Sequence, residues 1–336
     1  MILVFILNPF TLRAATLVPT SYGFRLPITF SNPVFSGTLT HVPLLVTFDT
    51  NTPNFYGGLA SPADGGDLRF TDGDGRTLLN HEIEAWNTNG ESFVWVQASA
   101  FSTSSVIYVY WGNEGDASPP AYSMNGATWS EGYLSVVHLH DDENDSTSNR
   151  NDGVAAGATN APGQVADAIA FNGTNEYVNF GDVNAFDNPG FFTVSLWFNR
   201  RVDGPAGSSH GIQNVLVSQA SSFNNDNFEV GVRGTDIEVY VDSVGQDGPN
   251  NLGFPATVSN GVWHYLSLVY DQSNTVEASI YLDGRLVGTY SNWGGTLDNS
   301  AGSPLGIGIG RPTTSNNGDF DGTIDEFRLA LAPRSS

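Results

Sequence analysis

The chain has 336 residues and a formal net charge of -23, so a nucleic-acid backbone or an anionic membrane surface would be repelled rather than gathered. All 12 basic residues are Arg, and cysteine is absent, which excludes disulfides and thiolate metal sites. With 38 Gly, 17 Pro and 12% aromatic residues, the composition suits short strands joined by many turns, and the length allows two cores.

Residues 1–18 begin MILVFILNPFTLRAA, an apolar run followed by the small residues Ala14 and Ala15. This is the pattern of an export signal, which predicts a secreted, periplasmic or cell-surface protein. No basic residue precedes the run and Arg13 sits poorly for a small-residue cleavage site, so a buried first strand is the competing reading. No later segment is apolar enough to span a bilayer. The acidic, Lys-free composition points to salty surroundings, where screening weakens self-repulsion.

Residues 20–115 read as a first all-β domain. FRLPITF, VPLLVTFD, DLRFTD, FVWVQAS and VIYVYWG are short apolar or alternating runs separated by Gly, Pro, Asn and Asp, and no helical period interrupts them. GGDLRFTDGDG, EIEAWN, FVWVQ and IYVYWGN resemble, in order and spacing, a bacterial family known as domain of unknown function 2341. That resemblance implies a cell-envelope setting and no particular chemistry. Within it, Glu82 and Glu84 are two apart and would share one strand face. Sandwich-fold glycosidases use a similarly spaced acidic motif, but Trp86 and Asn87 stand where a third acidic residue belongs. Solvated carboxylates on an exposed strand are the plainer reading.

Residues 116–130, with adjacent prolines and small polar residues, read as a linker. Residues 131–336 then carry five ordered blocks: the strand leading into DSTSNRNDG, the FNG turn before EYV, the SLWF strand, the WHY…IYLDG meander, and the closing GTIDEFRLA…RS. Together they resemble a laminin G-like, concanavalin A-like jelly roll, so the fold class expected is all-β, two β-sandwich domains. The chain stops where that family's domain ends, which suggests a piece of a longer protein. The clearest stretch is Val262 to Tyr290, read as three antiparallel strands. Ala278, Ile280 and Leu282 alternate with polar neighbours, and Asp283-Gly284 supplies the positive φ angles of a two-residue hairpin. Trp263, Tyr265 and Val269 alternate with Leu266, Leu268 and Tyr270, as expected for a central strand covered on both sides.

The jelly-roll resemblance implies first and last strands side by side, and a structural calcium ion near them. Asp145 and Asn149 on one loop and Asp325 on the closing strand are the ligands expected, with Asp142, Asp152, Asp319 and Asp321 as further oxygen donors. The acidic loop is not an EF-hand, because Ser146 falls where the turn requires Gly. His138 and His140 share a strand face, read as polar cover rather than a zinc site. GIGIGR, from Gly306 to Arg311, lacks the following helix of a nucleotide loop. Among Trp197, Trp263, Tyr265, Tyr281 and Trp293, only Trp293, in the turn-rich SNWGGTLDN, is expected to be exposed as a sugar-binding face. The function expected is calcium-stabilised binding of a polysaccharide or glycoprotein surface without catalysis. A glycan hydrolase using Glu82 and Glu84 and a structural spacer in a larger envelope protein are the alternatives.

Overall fold

The computed structural model describes residues 16–30, 37–204, 207–208, 210–222, 225–244, 246–249, 251–298, 302–311 and 318–334. The chain divides into two compact units, Met1–Ser123 and Met124–Ser336. Among the described residues, no helix is long and apolar enough to cross a membrane.

Among its described residues, unit 1 has seven strands: β1 (Phe24–Thr29), β2 (Leu39–Phe48), β3 (Arg69–Thr71), β4 (Leu78–Leu79), β5 (His81–Ala85), β6 (Ser92–Phe101) and β7 (Val106–Trp111). They form one sheet in the order β1-β7-β3-β4 and another in the order β2-β6-β5. Alternation along β7 sends Ile107, Val109 and Trp111 into a core shared with Phe48, Phe70, Val94 and Val96, the pattern that marks VIYVYW as a one-face-buried strand. Asp67, fully buried, ties the sheet to its loops by accepting from the Ala60, Ser61 and Gly112 amides at 3.0, 3.0 and 2.6 Å. The proposed signal segment lies mostly outside the described residues. At its end, Thr16 bridges to Thr77 and Leu17 is buried with its amide on Arg76 O, so these two residues belong to the fold of unit 1.

The stretch expected as a linker, 116–130, is more ordered than its composition suggests. Asp116 pairs with the buried Arg69 at 2.6 Å within unit 1. Thr128 and Trp129 are buried, with the Arg328 guanidinium 4.8 Å from the Trp129 ring within unit 2. Pro and small residues break strand pairing, but a single aromatic is enough to anchor such a stretch.

Unit 2 contains β8 (Tyr133–Val137), β9 (Val154–Ala156), β10 (Thr159–Pro162), β11 (Asp167–Asn172), β12 (Tyr177–Gly181), β13 (Phe191–Arg200), β14 (Val215–Ser222), β15 (Asn225–Arg233) and β16 (Asp236–Ser243). It continues through β17 (Gln246–Asp247), β18 (Leu252–Pro255), β19 (Trp263–Asp271), β20 (Ala278–Leu282), β21 (Arg285–Tyr290), β22 (Leu305–Ile307) and β23 (Asp321–Ala330). One sheet runs β10-β11-β23-β13-β19-β20-β21 with β8 also on β23, and the other runs β17-β16-β15-β14-β22-β12-β9 with β18 on β16. Phe192, Val194, Leu196, Phe198, Leu266 and Leu268 of the first sheet share a core with Phe228, Val230, Val232, Val239 and Val241 of the second. The first and last strands of the unit, β8 and β23, pair directly. Asp283 and Gly284 have φ of 52° and 73°, and Leu282 pairs with Arg285, so the two-residue hairpin forms as expected. β19 is central, between β13 and β20, and its inner face is buried, while the outer face is buried only at Ser267. Trp263, Tyr265 and Val269 remain partly exposed on the outer face, contrary to the expectation of cover on both sides.

Candidate functional site

The outer face of the first sheet of unit 2 gathers polar and aromatic side chains by strand register alone. Along β13 the inward residues are Phe192, Val194, Leu196 and Phe198, which leaves Trp197 and Asn199 outward. Thr323 on β23 lies opposite both Ala170 on β11 and Asn199 on β13, and Asn199 lies opposite Trp263 on β19. Four neighbouring strands therefore set Ala170, Thr323, Asn199 and Trp263 in one row. In the next row Trp197 lies opposite Tyr265, with ring centroids 5.2 Å apart and planes inclined by 52°. The pair forms an angled apolar wall beside the polar row.

The row opens into a cleft of about 360 Å³ lined by Ala170, Phe171, Asn199, Arg201, Asn260, Gly261, Gly322 and Thr323, within the size range of small-ligand sites. Its walls are fixed by backbone and ionic clamps. A Cβ at Gly322 would lie 2.2 Å from Asn199 O, so only glycine lets β23 pass this close to β13. Arg201 donates its backbone N–H to Asp321 O at 2.8 Å and its side chain to Asp321 Oδ1 at 2.5 Å. The buried Arg200 donates to Asn260 Oδ1 at 2.8 Å, to Asp203 Oδ1 at 2.5 Å and to Gly234 O at 2.7 Å. Burial pulls its guanidinium pKa down while Asp203 opposes that shift. The Gly261 amide donates to Arg200 O at 2.8 Å. With its Oδ1 held by Arg200, Asn260 keeps its NH2 group to offer as a donor.

The residues expected from sequence lie elsewhere. Trp293 is fully buried, 4.7 Å from the Tyr290 ring and 6.2 Å from the Tyr270 ring, and cannot present a face to a sugar. The physical reason is local. Glu277 Oε2 accepts from the Trp293 and Gly294 amides at 2.6 and 3.0 Å and folds the turn-rich segment back onto the core.

Asp145, Asn149 and Asp325, the calcium set expected, are each engaged by the chain's own groups. Asp145 Oδ1 accepts from the Val136 and Thr147 amides, each at 2.9 Å. Its Oδ2 accepts from Thr147 Oγ1 at 2.8 Å and the Asn151 amide at 2.9 Å. Four donors fill the roughly four lone-pair sites of a carboxylate, so Asp145 is a loop organiser. The Asn149 amide donates to Tyr133 O at 3.2 Å and Leu134 O at 3.0 Å. Asp152 Oδ1 is taken by the Asp145 amide at 2.8 Å, and Asp321 by Arg201. Asp325 Oδ2 accepts from the Gln164 and Val165 amides at 2.7 and 2.9 Å, while its Oδ1 is buried without a hydrogen-bond partner. With both oxygens filled, Asp145 does not fit a calcium ion in this arrangement.

The charges next to Asp325 are internal. His138 Nδ1 meets Glu326 Oε1 at 2.6 Å, and Arg328 donates to Glu326 Oε2 at 2.5 Å. Burial works against the Glu326 charge, but His138 and Arg328 hold its carboxyl below the usual range. Burial, and then the Glu326 charge, push the Asp325 carboxyl up to about 7. In unit 1, Glu82 and Glu84 are partly buried on β5, and Glu84 Oε2 accepts from Trp95 Nε1 at 2.6 Å.

Sequence reasoning missed Asn199, Arg201, Asn260 and Thr323. The signal available was the shared face of Trp197 and Asn199; the partners on β23 and in the loop before β19 come from chain far away.

No curated protein matches the chain. Solved structures similar to it include domain 4 of AbnA, a GH43 extracellular arabinanase from Geobacillus stearothermophilus, in complex with arabinotriose (17% identity, 60% of this chain and 95% of that chain, TM-score 0.46). Another is the binding domain of Paraclostridial Mosquitocidal Protein 1 (14% identity, 60% of this chain and 49% of that chain, TM-score 0.47). A third is the Ruminococcus gnavus IT-sialidase CBM40 bound to alpha2,3 sialyllactose (13% identity, 54% of this chain and 94% of that chain, TM-score 0.39). Residues 64–152 match the model of the Domain of unknown function (DUF2341), and residues 172–335 that of the Concanavalin A-like lectin/glucanases superfamily. The match to the first runs on through β8, which is a strand of unit 2. Part of the chain thus matches the domain of unknown function 2341, and the C-terminal part has the fold of a laminin G-like, concanavalin A-like jelly roll.

Proposed function

We propose that the chain is an exported binding protein whose jelly roll holds a neutral glycan on the outer face of its first sheet, without cleaving it. The observation that carries this is the polar row of Thr323 and Asn199, framed by Asn260 and Arg201 in one cleft and flanked by the Trp197–Tyr265 wall. Sugar rings need apolar C–H contact on one side and directional hydroxyl partners on the other, and this face offers both. Arg201 is neutralised by Asp321, and the chain carries a net charge of -23, so an uncharged polysaccharide suits it better than an anionic one. The superfamily holds lectins and glucanases alike, so fold alone does not choose between binding and hydrolysis. The hold of Trp95 on Glu84 supports binding.

Affinity for a panel of neutral polysaccharides, measured with the full chain and with Asn199→Ala and Trp197→Ala, tests this. Each substitution is expected to weaken binding by about 1 to 3 kcal/mol, the range for one aromatic or polar anchor. Unchanged affinity in both variants would move the site elsewhere. Release of reducing ends, lost in Glu82→Gln or Glu84→Gln, would make the chain a hydrolase. No binding to any glycan would leave a structural spacer.

A further inference from the structure

His264, on β19, is 7% exposed and points inward, 5.7 Å from the Phe198 ring on the neighbouring β13. Its two ring nitrogens have unlike partners. Nδ1 meets Asp283 Oδ2 at 2.9 Å, and the Ser259 backbone amide donates to Nε2 at 3.2 Å. A backbone N–H can only donate, so Nε2 must be the unprotonated nitrogen, and the proton of the neutral ring sits on Nδ1 facing the carboxylate. Asp283 is itself held, its Oδ1 accepting from the Tyr265 amide at 2.9 Å, so the ring cannot follow a moving partner.

Ser259 directly precedes Asn260 and Gly261, two of the residues that line the cleft. Beyond this bond, the loop is fixed at its start by the Val258 amide on Thr235 O at 3.1 Å and at its end by the Gly261 amide on Arg200 O at 2.8 Å. The groups that face the imidazole are Asp283 from the β20–β21 turn, the uncharged Phe198 from β13, and the Ser259 amide from the loop. Arg200, the cation of this corner, turns its guanidinium to Asn260, Asp203 and Gly234. Without an acceptor at Nε2 the Ser259 amide would lose its bond. Asn260 would stay tied to Arg200 at 2.8 Å, and the Val258 and Gly261 amides would keep both ends of the loop.

We propose that His264 is a positioning residue for the cleft: its Nε2 accepts from the Ser259 amide and, beside the Arg200 bond to Asn260, latches the Ser259–Asn260 segment, so that glycan affinity falls when that acceptor is removed. The affinity clause rests on the glycan-binding reading given above; the latch itself does not.

The test is amide hydrogen exchange of the free full chain, expressed as protection relative to the intrinsic rate. In His264→Gln the side-chain carbonyl can accept from Ser259, so its protection should be retained. In His264→Asn the shorter amide reaches Asp283 but not Ser259, and Ser259 is expected to lose at least roughly tenfold protection while Gly261 keeps its own. Unchanged Ser259 protection in His264→Asn, or an equal loss in His264→Gln, would overturn the latch. Polysaccharide affinity should fall in His264→Asn and stay level in His264→Gln. A loss of protection in His264→Asn without any polysaccharide binding by the wild type would remove the proposed function and leave the latch standing. Binding without that loss would do the reverse.

Discussion

Trp293 sits in a run of turn residues, SNWGGTLDN, yet its side chain is buried, whereas Trp197, inside a regular strand, is partly exposed. The difference is a carboxylate. Glu277 collects the amides of the turn and draws the indole inward, an effect that turn propensity does not register. Trp293→Ala should therefore cost about 3 to 5 kcal/mol of unfolding free energy, the usual loss for an aromatic removed from a core. Trp197→Ala should cost less, about 1 to 2 kcal/mol, since part of its ring already faces water in the folded chain. Urea unfolding of both variants checks this, and a Trp293→Ala chain as stable as wild type would show the ring outside the core. Asp325 makes a second residue-scale prediction. Burial raises its carboxyl in the folded chain from the ordinary 3.8 to about 7, so folding favours the protonated acid. That contribution is fully present below the unfolded pKa and is lost as pH rises through about 7. Asp325→Asn removes the titration and still offers an oxygen to the Gln164 and Val165 amides. It should gain on the wild type between about pH 4 and about pH 8, by up to roughly 4 kcal/mol if the whole shift is realised. Asp325→Ala leaves those amides without their acceptor and should destabilise by about 1 to 3 kcal/mol below about pH 4, a deficit that shrinks as pH rises through about 7 because this variant too lacks the titrating carboxyl. A constant difference between Asp325→Asn and wild type across that pH range would show that the carboxyl is not protonated on folding.

At the scale of elements, the strands were legible because each obeys a rule that acts within a few residues. Alternation of Ala278, Ile280 and Leu282 with polar neighbours predicts β20, and Asp283-Gly284 predicts its hairpin; both form. The site was not legible, because its residues meet only through pairing between distant strands. Asn199 and Thr323 are opposite each other as a consequence of the closing strand inserting beside β13, which no local pattern encodes. Asp145 shows the opposite limit. Its loop, DSTSNRND, has the oxygen-rich composition of a cation site, yet the same side chains satisfy backbone amides instead. Asp and Asn serve turns and metals with identical chemistry, so composition alone cannot separate the two uses.

For the whole molecule, the excess of negative charge is what no single contact offsets. Against 35 acidic residues stand 12 arginines, and Arg69, Arg200, Arg201, Arg233 and Arg328 are already committed to carboxylates. The remaining acidic groups repel one another in the folded state more than in the extended chain, where they lie further apart. Screening should relieve this. Raising sodium chloride from about 20 mM to about 1 M shortens the Debye length severalfold, to about 3 Å at the upper end. The melting temperature should climb across that range, most steeply at its low end. Calcium chloride at matched ionic strength gives the second arm of the experiment. Because the Asp145 oxygens are already filled by four donors, calcium should add only what its higher valence adds to screening, and Asp145→Asn should not alter the ratio of the two salts. A calcium-specific rise that disappears in Asp145→Asn would mean that the loop opens to bind the ion and that its hydrogen bonds describe only the calcium-free form. A melting temperature flat in sodium chloride would place the acidic surface too far apart for self-repulsion to govern stability.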